Sequence, residues 1–156
     1  MIDFTKVVNT QQIELFAKYK VLLMAEINNS AIKMEITDKE IDDYNLDRAK
    51  KSLSERDSYL VSINSKYIGI IQISIKESIC ATQQVVYLHT LYIEERYRKQ
   101  GIGRQIIDFI LTLYDKPIEC ECWYEMEAFS FYQSLGFRCI RATFYSDQNC
   151  MSENRK

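Results

Sequence analysis

The chain has 156 residues, 47% of them hydrophobic and 27% charged, a size and balance that let one domain bury a core without disulfides or a structural metal. A single proline and four glycines exclude collagen-like and low-complexity classes, and a formal charge of −2 argues against general nucleic-acid binding. Residues 1–6 lack a basic stretch leading into an apolar run, and no apolar run nears the roughly 20 residues of a membrane span, so a cytoplasmic protein with no membrane partner is expected.

Residues 3–8 alternate like a first strand, and Asn9 or Thr10 caps a helix carrying Ile13, Phe16, Ala17, Leu22 and Leu23 on its apolar side. Thr37-Asp38-Lys39-Glu40 reads as a capping box opening a second helix, with Ile41, Tyr44 and Leu46 leading into Leu53. The β-branched runs 58–63 and 67–75, separated by Asn64-Ser65-Lys66, predict a hairpin, and 85–93 predicts a third strand of this group. From Gly103 the apolar period changes to three and four through Ile106, Ile107, Ile110, Leu111 and Tyr114, predicting an amphipathic helix that Pro117 ends. A short strand at 118–122, a helix at 127–135 with Gly136 as its C-cap, and a last strand at 138–145 complete the order β-α-α-β-β-β-α-β-α-β. No repeat, linker or long charge run divides the chain, so 1–156 reads as one mixed α/β domain. The aromatic tail through Phe144 and Tyr145 suits a strand completing either a homodimer's sheet or the monomer's own, the homodimer being preferred.

Five cysteines, at 80, 120, 122, 139 and 150, make an odd count that implies no disulfide framework. Cys120-x-Cys122 lacks the spacing and second ligand pair of a zinc site, so no metal is expected.

Residues 91–104 run from a strand end through a basic, glycine-containing turn into a helix. Gly101 and Gly103 let the backbone approach a ligand, the first helical N–H groups lack internal partners, and the helix dipole favours phosphate oxygens, with Arg98, Lys99 and Arg104 adding charge. The plain alternative is a glycine turn entering an ordinary helix among solvated basic side chains. A P-loop ending in Gly-Lys-Ser/Thr and an N-terminal Gly-x-Gly-x-x-Gly unit are both missing from the sequence.

Arg98-x-x-Gly101-x-Gly103 resembles the Arg/Gln-x-x-Gly-x-Gly/Ala motif of the GNAT superfamily of N-acetyltransferases, and Ala128 to Phe137 is similar to that family's Ala-x-x-hydrophobic-Tyr-x-x-x-Gly-Phe segment. The resemblance implies a twisted, mostly antiparallel sheet of about six or seven strands flanked by about four helices, splayed between the fourth and fifth strands. It also implies acetyl-CoA as cofactor, contacted by Leu91, Tyr92 and Ile93 along the strand and by Arg98, Lys99, Gln100, Gly101, Ile102, Gly103 and Arg104 at the turn. Glu125 stands where many relatives carry an asparagine, and an ionised carboxylate cannot donate the corresponding hydrogen bond.

Acetyl transfer to an amine needs the neutral nucleophile, so a base of suitable pKa is sought, and His89 is the single histidine. Strand alternation places His89 on one face with Tyr87 and Leu91, Tyr87 being the fallback base; a hydrogen-bonded structural histidine is the plain alternative. By resemblance Tyr132 is the acid for the departing thiolate, against the simpler reading of an aromatic core residue. A backbone N–H near Leu91 would polarise the thioester carbonyl.

Acids at Asp38, Glu40, Asp42, Asp43 and Asp47, and at Glu119, Glu121, Glu125 and Glu127, are suited to attract a cationic amine or simply form solvated faces. The expected activity is direct acetyl transfer to a primary amine of a small cationic molecule. The alternatives are a catalytically silent acyl-CoA-binding module and a protein or peptide N-acetyltransferase.

Overall fold

A computed structural model describes residues 1–29, 46–122 and 126–140. In chain order it has β1 (Ile2–Lys6), α1 (Thr10–Asn28), α2 (Leu46–Glu55), β2 (Asp57–Ile63), β3 (Lys66–Glu77), β4 (Gln84–Ile93), a 3-10 turn (Glu95–Tyr97), α3 (Ile102–Tyr114), β5 (Ile118–Cys120) and α4 (Glu127–Ser134). The strands form one sheet in the order β1-β2-β3-β4-β5, antiparallel through β4 and parallel between β4 and β5. A parallel pair needs a crossover, and α3 provides it.

Local chemistry accounts for the element ends. Asn9 caps α1 reciprocally: its side chain accepts from the Gln12 N–H while the Gln12 side chain accepts from the Asn9 N–H. The β2–β3 hairpin closes through Asn64 (φ 48) and Ser65 (φ 64), both left-handed, the pattern of a two-residue turn that matches strand twist.

The sheet divides two cores. On one face Ile71, Ile73, Val86 and Leu88 pack against Ile102, Ile106, Ile107 and Ile110 of α3 and Tyr132 of α4. On the other, Leu60, Ile70 and Tyr92 pack against Phe16 and Tyr19 of α1. Each fully buried aliphatic side chain contributes about 1.5–3 kcal/mol.

Several expectations shift. Tyr19, not Leu22, joins the buried stripe of α1, because Phe16, Tyr19 and Leu23 fall at helical spacing while Leu22 is 40% exposed. Leu111 is likewise on the solvent side of α3. β5 ends at Cys120, two residues short of the expected boundary. Five strands are present among the described residues, and 138–140 form none. The rest of the expected last strand, the capping box at 37–40, Glu125 and the aromatic tail lie outside the described residues. Among the described residues no helix is long and apolar enough to cross a membrane.

Candidate active site

β4 is the strand on which the site is built. β5 pairs with it only at Val86, Tyr87 and Leu88, so among the described residues no strand pairs with the β5-side edge of β4 from His89 to Ile93, and that stretch of edge is uncovered by the sheet. On its other side the register with β3 slips at His89: Leu88 faces Ile73 and Thr90 faces Gln72, leaving His89 as the extra residue of a bulge. The slip changes which side chains share a face. Leu91 packs into the α3–α4 core, whereas Tyr87, His89, Thr90 and Tyr92 lie on the α1–α2 side with Ser74 and Gln72. The expected alignment of Leu91 with Tyr87 and His89 is therefore corrected, since strict alternation ignores the added residue.

Past β4 the chain enters a hydrogen-bonded loop. The Glu94 N–H donates to the Ile68 carbonyl at 2.9 Å, and those of Tyr97 and Arg98 donate to Glu94 and Glu95 carbonyls. Lys99 (φ 59) and Gly101 (φ 78) then turn the backbone left-handed, and α3 starts with no side-chain cap. Among the described residues, none of the N–H groups of 99–104 meets a protein acceptor; that of Gln105 is the first to do so, on the Gly101 carbonyl. The point where Gly101 would carry a Cβ is open space. Gly103 differs: a Cβ there would lie 2.6 Å from the Phe131 ring, so this glycine makes room for α4 rather than for a ligand.

The basic side chains of the turn have different commitments. Arg98 donates through Nη1 and Nη2 to the two oxygens of Glu26 at 2.5 and 2.7 Å, and through Nε to the Ile93 carbonyl at 2.8 Å. Its guanidinium thus ties the end of α1 to the loop. Lys99 pairs with Glu127 at 3.2 Å on the surface, Gln100 donates to the Arg96 carbonyl, and Arg104 stands exposed on the first turn of α3. Ile102 is buried beneath the turn as its apolar anchor.

The α1–α2 face carries the titratable groups. His89 Nε2 lies 2.8 Å from Ser74 Oγ, and its ring meets that of Tyr87 edge-on at 4.8 Å. Burial, then the charges of Arg56, Lys76 and Lys20, push the imidazole down to about 4, so it is neutral at pH 7. Lys76 Nζ sits 3.2 Å over the Tyr87 ring. Burial and then Glu121 push the Tyr87 phenol up to about 12.

Tyr132 is buried on the opposite face, against the Cys120 thiol, at the last rung where β5 still pairs with β4. Burial raises its pKa far above the ordinary phenol value, so it remains a hydrogen-bond donor at any working pH. Burial also lifts the Cys120 thiol to about 12, which removes the thiolate an acyl-enzyme route would require. Two residues escape the sequence reading. Glu26 has no local signal, but Lys20 does: it falls between Tyr19 and Leu23 on the buried stripe of α1, where a lysine needs a reason.

The Acetyltransferase (GNAT) domain family matches residues 23–152. No curated protein sequence matches. Among solved structures, the chain is similar to the aminoglycoside N-acetyltransferase AAC(6')-Iy in complex with CoA, at 18% identity over 95% of each chain with a TM-score of 0.69. A possible acetyltransferase from Clostridium difficile 630 shares 16% identity over 95% of this chain and 97% of that one, with a TM-score of 0.68. An aminoglycoside acetyltransferase from an uncultured soil metagenomic sample, in complex with sisomicin, shares 13% over 94% and 97%, with a TM-score of 0.64. At these identities the structures establish a common fold. With the family match spanning most of the sequence and the motif turn opening α3 beside a half-covered β4, the chain belongs to the GNAT acetyltransferases, enzymes whose acyl donor is acetyl-CoA.

Proposed function

We propose that the protein transfers the acetyl group of acetyl-CoA directly to the primary amine of a small molecule. The observation that carries this reading is one continuous surface, in which the uncovered edge of β4 leads into the unsatisfied N–H groups of 99–104 at the start of α3. These groups fit a diphosphate: the helix dipole points its positive end there, Gly101 presents no side chain, and Arg104 is free to add charge. Leu91, Tyr92 and Ile93 offer main-chain groups beside a pantetheine arm, and Arg98, Lys99, Gln100, Ile102 and Gly103 hold the turn in shape.

Acetyl-CoA supplies an activated thioester carbonyl. Around it, a β4 N–H near Leu91 polarises that carbonyl, and the incoming nitrogen forms its bond to carbon as the C–S bond breaks. His89 is neutral but a weak base among its cations, so it suits holding a water that takes the proton leaving the nitrogen, with Tyr87 beside it. Tyr132 donates a hydrogen bond to the departing sulfur, and the released thiolate takes its proton from solvent. Of the acids expected to draw a cation, Asp38, Glu40, Asp42 and Asp43 lie outside the described residues; Glu119 is engaged by Ser78 and by the Ile79 N–H, and Glu121 lies near Tyr87.

Release of the CoA thiol across a panel of primary amines, together with calorimetric titration of acetyl-CoA, tests the reading. Tyr132→Phe is expected to lower kcat at least about tenfold, the worth of one hydrogen bond to a charged group, with acetyl-CoA affinity little changed. Binding without turnover of any amine identifies a silent acyl-CoA-binding module, and absence of binding overturns the proposal.

A further inference from the structure

Ser74, on β3, is joined to the one histidine of the chain. Its Oγ lies 2.8 Å from His89 Nε2, although the two residues are not opposite each other in the ladder: Ser74 pairs with Tyr87, and His89 is the extra residue of the bulge. Both are half-buried. The imidazole is also held by a ring, meeting Tyr87 edge-on at 4.8 Å, and Tyr87 in turn lies beneath Lys76 Nζ at 3.2 Å. The ring is thus fixed by two neighbours, and one of its two nitrogens is already engaged.

A neutral imidazole carries its single N–H on one nitrogen and a bare lone pair on the other, and the bond that one nitrogen makes decides what the other can do. A serine hydroxyl rotates, so Ser74 can donate to Nε2 or accept from it. Were it the donor, Nδ1 would bear the proton and could only donate to a water. As the acceptor it leaves Nδ1 bare, able to receive a hydrogen bond from a water that is gaining a proton elsewhere. The charges of Arg56, Lys76 and Lys20 around the ring favour this second arrangement, because a lone pair attracts cations where an N–H dipole repels them.

We infer that Ser74 is a positioning residue for acetyl transfer: its hydroxyl accepts the Nε2 proton of His89 and so presents a bare Nδ1 to the water that takes the proton from the amine. His89 stays neutral throughout, the proton passes through that water to solvent, and Ser74 forms no bond to the substrate. The role rests on the acetyl-transfer reading, and the test separates the two.

A single histidine makes the tautomer directly readable. Nitrogen-15 labelling of histidine gives ring signals from His89 alone, and their positions tell a bare nitrogen from a protonated one. At pH 7 the native protein is expected to carry the proton on Nε2, and Ser74→Thr, which keeps the hydroxyl on a residue suited to a strand, keeps it there. In Ser74→Ala the proton redistributes between the two nitrogens. With an amine that the native protein acetylates, Ser74→Ala should lower kcat about fivefold, the scale of one hydrogen bond, with the acetyl-CoA Kd unchanged and Ser74→Thr restoring the rate. In a His89→Gln background the same Ser74→Ala change should cost nothing further, because the group it positions is gone. A proton on Nδ1 in the native protein, a spectrum that Ser74→Ala leaves unaltered, or an equal loss of kcat with and without His89 overturns the inference. Failure of the native protein to acetylate any amine sinks the acetyl-transfer reading and the role with it, whereas the spectrum reads the Ser74–His89 bond in either case.

Discussion

Arg98 and Glu26 meet through two hydrogen bonds, and a third fixes Arg98 to the Ile93 carbonyl, so three of the five guanidinium N–H groups are committed to the protein. The contribution to donor binding proposed for it is the shape of the loop, and that has a signed consequence. Glu26→Gln is expected to weaken acetyl-CoA binding by about fivefold, roughly 1 kcal/mol, as suits an ion pair partly open to solvent. Were Arg98 the phosphate ligand, releasing it from Glu26 would tighten binding instead, and calorimetry reads the sign. At His89 the folded state resists protonation, since its pKa falls from 6.5 to about 4. Between those values the unfolded chain binds more protons than the folded one, so stability declines as pH falls from about 6.5 toward 4. Denaturant midpoints measured across that window should slope less in His89→Gln than in the native protein.

At the scale of elements, α3 and α4 touch where Gly103 lacks a side chain. Gly103→Ala would drive a methyl into Phe131, whose neighbour is Tyr132, so kcat should fall more than stability does, and Phe131→Leu in the same chain should recover part of the loss. The β2–β3 turn offers a contrast, since Ser65 holds φ 64 while exposed. Ser65→Gly is expected to raise unfolding free energy by about 0.5–1 kcal/mol with activity unchanged, measured by urea titration. The hairpin, the glycine turn and the Tyr132 helix are legible in the sequence because each is specified by neighbours in the chain. The bulge at His89 is not: whether a strand takes an extra residue depends on its partner, here the β3 segment from Gln72 to Ile73, and one-dimensional alternation has no access to the partner. The commitment of Arg98 to a carboxylate 72 positions away is hidden for the same reason.

Across the whole molecule the sheet separates two tasks. The α3–α4 face holds the larger apolar core and Tyr132, and the donor turn opens at its rim; the α1–α2 face holds the polar row from Gln72 and Ser74 to His89 and Thr90 above a smaller core. Order and type of elements foretell this layering, because apolar periodicity reports which faces are buried. The two cations that meet the sheet on this face are harder to foresee. Lys20 and Arg56 stand 36 positions apart and converge only when the fold brings both to the rung where Thr90 pairs with Gln72.

Helix α1 reaches both halves of the site. Lys20 donates to Thr90 of β4, and Glu26, about 9 Å further along the axis, grips the turn before α3, while Tyr19, next to Lys20 in the chain, bonds to Glu94 at 2.9 Å. A rod fastened at two points cannot shift at one without loading the other. Load placed on the Glu26 end is then felt at Thr90, and whatever factor bound CoA imposes on an acceptor's dissociation constant, the acceptor must return on CoA's.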